Sequence, residues 1–127
     1  MIPKASIIYQ NKWLYIEIEP SEIPWLKIFS KNKEKEFSHC HTETQKEIFQ
    51  LLLLIETEML DYFKPDKINI ASFANYLPQV HWHIMARFKT DSYFPEPVWG
   101  KKQRQASLNY PSFEQFILQL KPKLEVF

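Results

Sequence analysis

The sequence predicts an α+β domain: one mainly antiparallel β-sheet, one long helix and a C-terminal helix. Two observations carry this expectation. Short β-rich segments bounded by turn residues recur at 7–9, 13–18, 25–30, 67–73 and 80–88. A single longer stretch, 42–63, instead places apolar residues at helical spacing. The resulting order, β-β-β-α-β-β-α, is that of an α+β domain.

Each element has a local reason. Ile7 to Tyr9 and Trp13 to Ile18 flank Gln10-Asn11-Lys12, a hairpin signal. Pro20 and Pro24 make 19–24 a loop, and Trp25 to Ser30 reads as a third strand. Lys31 to Lys35 is a charged, solvated connection. In 42–63, Thr42 and Gln45 have capping-box spacing, and Glu43 suits the positive end of a helix. Ile48, Leu51, Leu52, Ile55, Met59 and Phe63 form one broad apolar stripe, and Pro65 ends the helix. This helix is packing, not chemistry. Lys67 to Phe73 alternates as a strand, Asn75 to Pro78 is a turn, and Val80 to Phe88 is the strongest strand signal. Pro95, Pro97 and Gly100 make 91–105 irregular; a second helix starts over Pro111 to Leu120, with Tyr110 or Ser112 near its start.

Composition narrows the function classes. The 127 residues suit a single domain, 1–127, with a core at about 5–100 and a helical extension at about 106–127. The chain is 45% hydrophobic and 24% charged, as in ordinary globular proteins, and its 16% aromatics favour a core of large side chains. A net charge of +1 gives no reason to expect nucleic acid or a membrane surface as partner. No apolar run reaches the roughly 18–20 residues of a membrane span, and residues 1–10 lack a signal-peptide h-region. A lone Cys40 excludes an intrachain disulfide and fits a reducing compartment, so a cytoplasmic location is expected. With Gly100 the only glycine, Gly-rich phosphate loops cannot be built. A phosphate site must use side chains and ordinary backbone amides.

The candidate chemistry lies in Gln79-Val80-His81-Trp82-His83-Ile84-Met85-Ala86-Arg87. Strand alternation puts His81 and His83 on one face with Gln79, Met85 and Arg87, while Val80, Trp82, Ile84, Ala86 and Phe88 point into a core. Two imidazoles with a guanidinium further along suit a phosphate ester. A neutral imidazole is a competent nucleophile, and neighbouring donors and positive charge stabilise what develops at phosphorus. A metal-bound pair is poorly supported, because metal sites want three or four ligands and no acid follows His83 before Asp91. Arg87 either binds phosphate or pairs with an acid at the strand end.

This segment resembles the histidine triad (HIT) family, whose motif is His-φ-His-φ-His-φ-φ, φ being hydrophobic. Asn69, the turn at 75–78, Ile23-Pro24-Trp25-Leu26-Lys27-Ile28 and Phe94-Pro95-Glu96-Pro97-Val98-Trp99-Gly100 extend the resemblance over about residues 5–100. Gln79 stands where the family has its first triad histidine, as in one bacterial branch. The resemblance implies an α+β sheet with a long helix. It implies a nucleotide hydrolase or transferase in which His81 is the covalent nucleophile, His83 contacts phosphate and the scissile-bond oxygen, and Gln79 orients without titrating. Asn69 would be an active-site asparagine or an ordinary strand polar residue. Trp99 would stack on a base or anchor its loop. No obligatory metal or other cofactor is implied, and a homodimer is.

Two other readings stand beside this one: a nucleotide-binding protein with little turnover, motivated by Gln79, and a small metal-binding protein using His81 and His83 with His39 or His41. His39-Cys40-His41 itself reads better as a loop before the helix cap. Lys101, Lys102 and Arg104 form a basic cluster that suits a solvated surface, or attraction of polyphosphates by its local field.

Overall fold

The computed structural model describes residues 2–127. Five strands form one sheet: β1 (Ile7–Gln10), β2 (Leu14–Ile18), β3 (Trp25–Ser30), β4 (Lys67–Ala71) and β5 (His81–Arg87). Their spatial order is β1-β2-β3-β5-β4, and every neighbouring pair is antiparallel. Two helices, α1 (Thr42–Phe63) and α2 (Phe113–Glu125), complete the α+β fold.

Alternation divides the sheet into two faces. Leu14, Ile16, Leu26, Ile28, Ile84 and Ala86 are buried beneath the helices, with Ile48, Leu51, Ile55 and Met59 of α1 in the same cluster. Leu14, Ile16, Leu26, Ile28 and Ile84 are fully excluded from solvent. At roughly 1.5–3 kcal/mol for each large aliphatic side chain removed from water, this face is the main source of stability. The opposite face is free of helices and carries Trp25, Lys27, Phe29, His81, His83 and Arg87.

Local details of the helix ends refine the sequence reading. The cap of α1 is His41, whose Nδ1 accepts from the Glu43 backbone N–H at 3.0 Å. Thr42 is already helical, and Gln45 donates its side-chain amide to the Cys40 carbonyl rather than closing a capping box. α1 ends at Lys64 in the left-handed conformation (φ 49°), a position that favours glycine. α2 is capped by Ser112 Oγ and runs through Pro122 to Glu125, inside the helical extension expected at about 106–127. It is also no peripheral extension: Phe113, Phe116, Ile117, Leu120 and Leu124 are buried in the common core. No helix of the described residues is long and apolar enough to cross a membrane.

Candidate active site

β5 lies between β3 and β4, so its open-face side chains meet neighbours from both sides. On β3, Phe29 is registered with His81 and Lys27 with His83. On β4, Ala71 lies opposite His83 and Asn69 opposite Met85. A small residue beside His83 leaves room above the strand. The result is a cleft of about 420 Å³, floored by Lys27, Phe29, His81 and His83 and walled by Phe73 to Leu77 and Trp99. That volume lies within the usual range of small-molecule sites.

Hydrogen bonds fix both histidine tautomers. His81 Nδ1 lies 2.7 Å from the Gln79 main-chain oxygen. A carbonyl only accepts, so Nδ1 carries the proton and donates. In the neutral ring Nε2 then holds the free lone pair. His83 has the opposite arrangement. The Trp25 indole N–H donates to His83 Nδ1 at 3.0 Å, which puts the His83 proton on Nε2. Adjacent imidazoles thus offer one acceptor and one donor. Their ring centroids are 4.9 Å apart in an edge arrangement, closer than the 6–7 Å of two strand rises.

Electrostatics keep His83 neutral. Burial in the aromatic wall pushes its pKa down, helped by the His81 ring and the Lys27 ammonium, to about 4. Both rings are held by aromatic packing. Phe29 stacks on His81 at 4.8 Å and Tyr15 on Phe29 at 4.9 Å. Trp99 meets His83 edge-on at 4.8 Å, Trp25 at 5.5 Å and Phe73 at 5.1 Å. Trp99 therefore anchors its loop against three rings, yet remains half exposed at the cleft rim.

The remaining predicted residues divide. Gln79 is buried, but its side-chain amide turns away from the histidines, donating to the Ser30 carbonyl at 2.8 Å and reaching Tyr15 Oη at 3.3 Å. What it presents to His81 is its backbone oxygen. Arg87 and Asn69 do not line the cleft. Arg87 is 2% exposed and grips Asp91 through Nε at 2.9 Å and Nη2 at 3.1 Å. It also donates to Asn69 Oδ1 and to the Glu96 carbonyl, both at 2.8 Å. Of the two roles open to Arg87, the structure shows the ion pair. Asp91 in turn accepts from the backbone N–H groups of Phe88, Tyr93 and Phe94. Hydrogen bonds from Arg87 and these amides hold its carboxyl below the usual carboxylate range, against the upward push of burial. This knot shapes the loop that delivers Trp99. Gly100 closes the same loop, since a Cβ there would sit 3.1 Å from Glu96 Cβ and 3.2 Å from the Pro97 carbonyl oxygen.

Sequence reading missed Trp25, Lys27 and Phe29 as site residues. The available signal was their alternation on a strand antiparallel to β5, which puts all three on the histidine face. His39 and His41 lie elsewhere: His41 caps α1 and stacks on Trp13 at 4.3 Å. Among the described residues, no three His, Cys, Asp or Glu side chains converge to hold a metal ion.

No family model and no curated protein matches the sequence. Solved structures do match the fold. A histidine triad protein from Bradyrhizobium japonicum aligns over 96% of this chain and 89% of its own, at 23% identity and a TM-score of 0.72. One from Sinorhizobium meliloti aligns over 96% and 88%, at 20% identity and a TM-score of 0.71. A hypothetical histidine triad nucleotide-binding protein from Sulfolobus tokodaii aligns over 98% and 86%, at 13% identity and a TM-score of 0.62. The chain thus has the fold of histidine triad proteins, over nearly its whole length.

Proposed function

We propose that this protein is a HIT-type nucleotide hydrolase or nucleotidyl transferase whose nucleophile is His81. One observation carries the reading: the paired tautomers of His81 and His83. The His81 Nε2 lone pair is free because Nδ1–H is committed to the Gln79 carbonyl, and His83 Nε2–H is free because its Nδ1 accepts from Trp25. Nucleophile and hydrogen-bond donor therefore stand side by side, already oriented. The fold match and the nucleotide-binding name of the Sulfolobus protein support the same class.

The mechanism has two steps. The His81 Nε2 lone pair attacks the α-phosphorus of a nucleoside phosphoramidate, dinucleoside polyphosphate or related phosphoanhydride. The bond to the leaving group breaks with its electron pair, and a nucleotidyl-histidine remains. Water then attacks phosphorus, its proton is released, the P–N bond breaks and His81 regains its lone pair, giving a nucleoside monophosphate. In the first step His83 Nε2–H donates to the leaving atom, which takes up a proton as it departs, and in the second step it donates to a phosphate oxygen. Gln79 acts through its backbone oxygen, which locks the His81 tautomer. Phe73, Tyr76 and Trp99 give the base an aromatic wall.

The reading includes a homodimer. β4 is an open sheet edge, and Phe49, Leu53 and Leu60 expose an apolar stripe along α1. Sedimentation equilibrium giving a species of twice the 15.4 kDa chain mass supports this assembly, and a monomer at micromolar concentration opposes it.

The enzymatic test compares wild type with His81→Ala on adenosine phosphoramidate, diadenosine polyphosphates and adenylyl sulfate. Wild type releases AMP, and the variant loses at least about 10²-fold in rate, the scale of losing a principal catalytic group. Equal rates would remove His81 as nucleophile. AMP binding without release from any of the three would favour a binding protein with little turnover.

A further inference from the structure

With Arg87 committed to Asp91, Asn69 and Glu96, the strand that carries the histidines supplies no cation to the cleft. His83 is neutral there as well. Among the residues that line the cleft, the one permanent positive charge is Lys27. It lies on β3 directly opposite His83 of β5 and is largely buried, its side chain 15% exposed. Its ammonium sits 5.2 Å from the Phe29 ring centroid, and Phe29 is the ring stacked on His81. Its counter-charge is Glu19, at 2.8 Å and also in the cleft wall.

We propose that Lys27 is the phosphate-binding cation of this site and that its ammonium leaves Glu19 for a phosphate oxygen when nucleotide binds. This rests on the nucleotide reading above and adds to it the source of positive charge. Three features point the same way. A largely buried ammonium needs a partner, and Glu19 is a replaceable one because it sits at the cleft edge. The register with His83 places the ammonium beside the donor that would hold the same phosphate. The ammonium already lies over the Phe29 ring on a flexible four-carbon stem, so the head can exchange partners without repacking the floor.

The test measures binding of AMP and of adenosine by calorimetry to wild type, Lys27→Met, Lys27→Arg and Glu19→Gln. Adenosine shares the base and ribose but carries no charge, so the ratio of the two affinities isolates the phosphate. Lys27→Met is expected to weaken AMP at least about tenfold, the scale of one charge-assisted contact, with adenosine unchanged. Lys27→Arg is expected to restore most of the ratio. Glu19→Gln removes the competitor and is expected to tighten inorganic phosphate, used as a separate probe. Lys27→Met with the wild-type AMP-to-adenosine ratio would overturn the proposal. Equal loss of both ligands would overturn it too, because Lys27 would then serve only the shape of the cleft. Wild type binding neither ligand would instead sink the nucleotide reading, and this proposal with it.

Discussion

The two ends of β5 carry polar groups on the same face of the same strand, held in opposite ways. At the start of the strand, His81 and His83 each commit one ring nitrogen to the protein and leave the other facing the cleft. At its end, Arg87 spends Nε and both terminal nitrogens on Asp91, Asn69 and Glu96. All three residues are nearly excluded from solvent, so burial does not distinguish them. Unspent hydrogen-bonding capacity does. A group that must act on a ligand keeps a lone pair or a proton in reserve, whereas a group that builds structure keeps none. The arginine end supports the histidine end indirectly, by shaping the loop that sets Trp99 against His83.

Two substitutions separate these roles most strongly. His81→Ala removes the free lone pair, and its effect falls on turnover, at least about 10²-fold. Its cost in urea denaturation stays within the common range of about 0.5–3 kcal/mol. Arg87→Met leaves Asp91 buried without its partner, and its effect falls on stability, about 3–5 kcal/mol by the same denaturation. A variant of Arg87 that keeps wild-type stability but loses nucleotide affinity would reverse the assignment of the two ends.

A smaller effect comes from Asn69→Ala, which removes one charge-assisted acceptor from Arg87. Stability falls by about 1–3 kcal/mol, with KM for nucleotide unchanged. A raised KM at unaltered stability would return Asn69 to the cleft.

The pH dependence sharpens the histidine end. His83 has a folded pKa of about 4 against an ordinary value of 6.5. The unfolded chain therefore binds this proton more readily than the folded one. The contribution to stability is fully present above pH 6.5 and is lost as pH falls through the window from 6.5 to about 4. NMR titration of the His83 ring should give a midpoint near the lower figure, and His83→Gln should flatten the stability slope across that window. A midpoint near 6.5 would mean that burial and the neighbouring His81 and Lys27 do not hold the ring neutral. The smallest expected effect is at Lys64. Its left-handed backbone (φ 49°) makes Lys64→Gly stabilising, by about 0.5–1 kcal/mol in thermal unfolding, with no change in turnover.

Much of the fold was legible because periodicity is a local signal. Residues 25–30 and 42–63 were placed to the residue, and β5 is shorter than its predicted span by one residue at each end. The cap of α1 was not legible. Thr42 and His41 both carry side-chain acceptors, and the choice depends on the backbone turn at His41, which its stacking on Trp13 supports. α2 continues beyond Leu120 through Pro122, which the helix accommodates. In the site, the histidine face of β5 follows from alternation alone. The partner of Arg87 does not, because Asp91 returns to it only through the loop after β5. Lys27, 56 positions before His83, becomes its neighbour only once β3 is known to pair with β5.

The measurement closest to the central claim is mass spectrometry of enzyme base-quenched during turnover of adenosine phosphoramidate, with peptide-level localisation of the adduct. The account predicts a base-stable, acid-labile adenylyl group on His81, absent from His81→Ala. Sustained AMP release with no adduct on His81, or with the adduct on another residue, would contradict it.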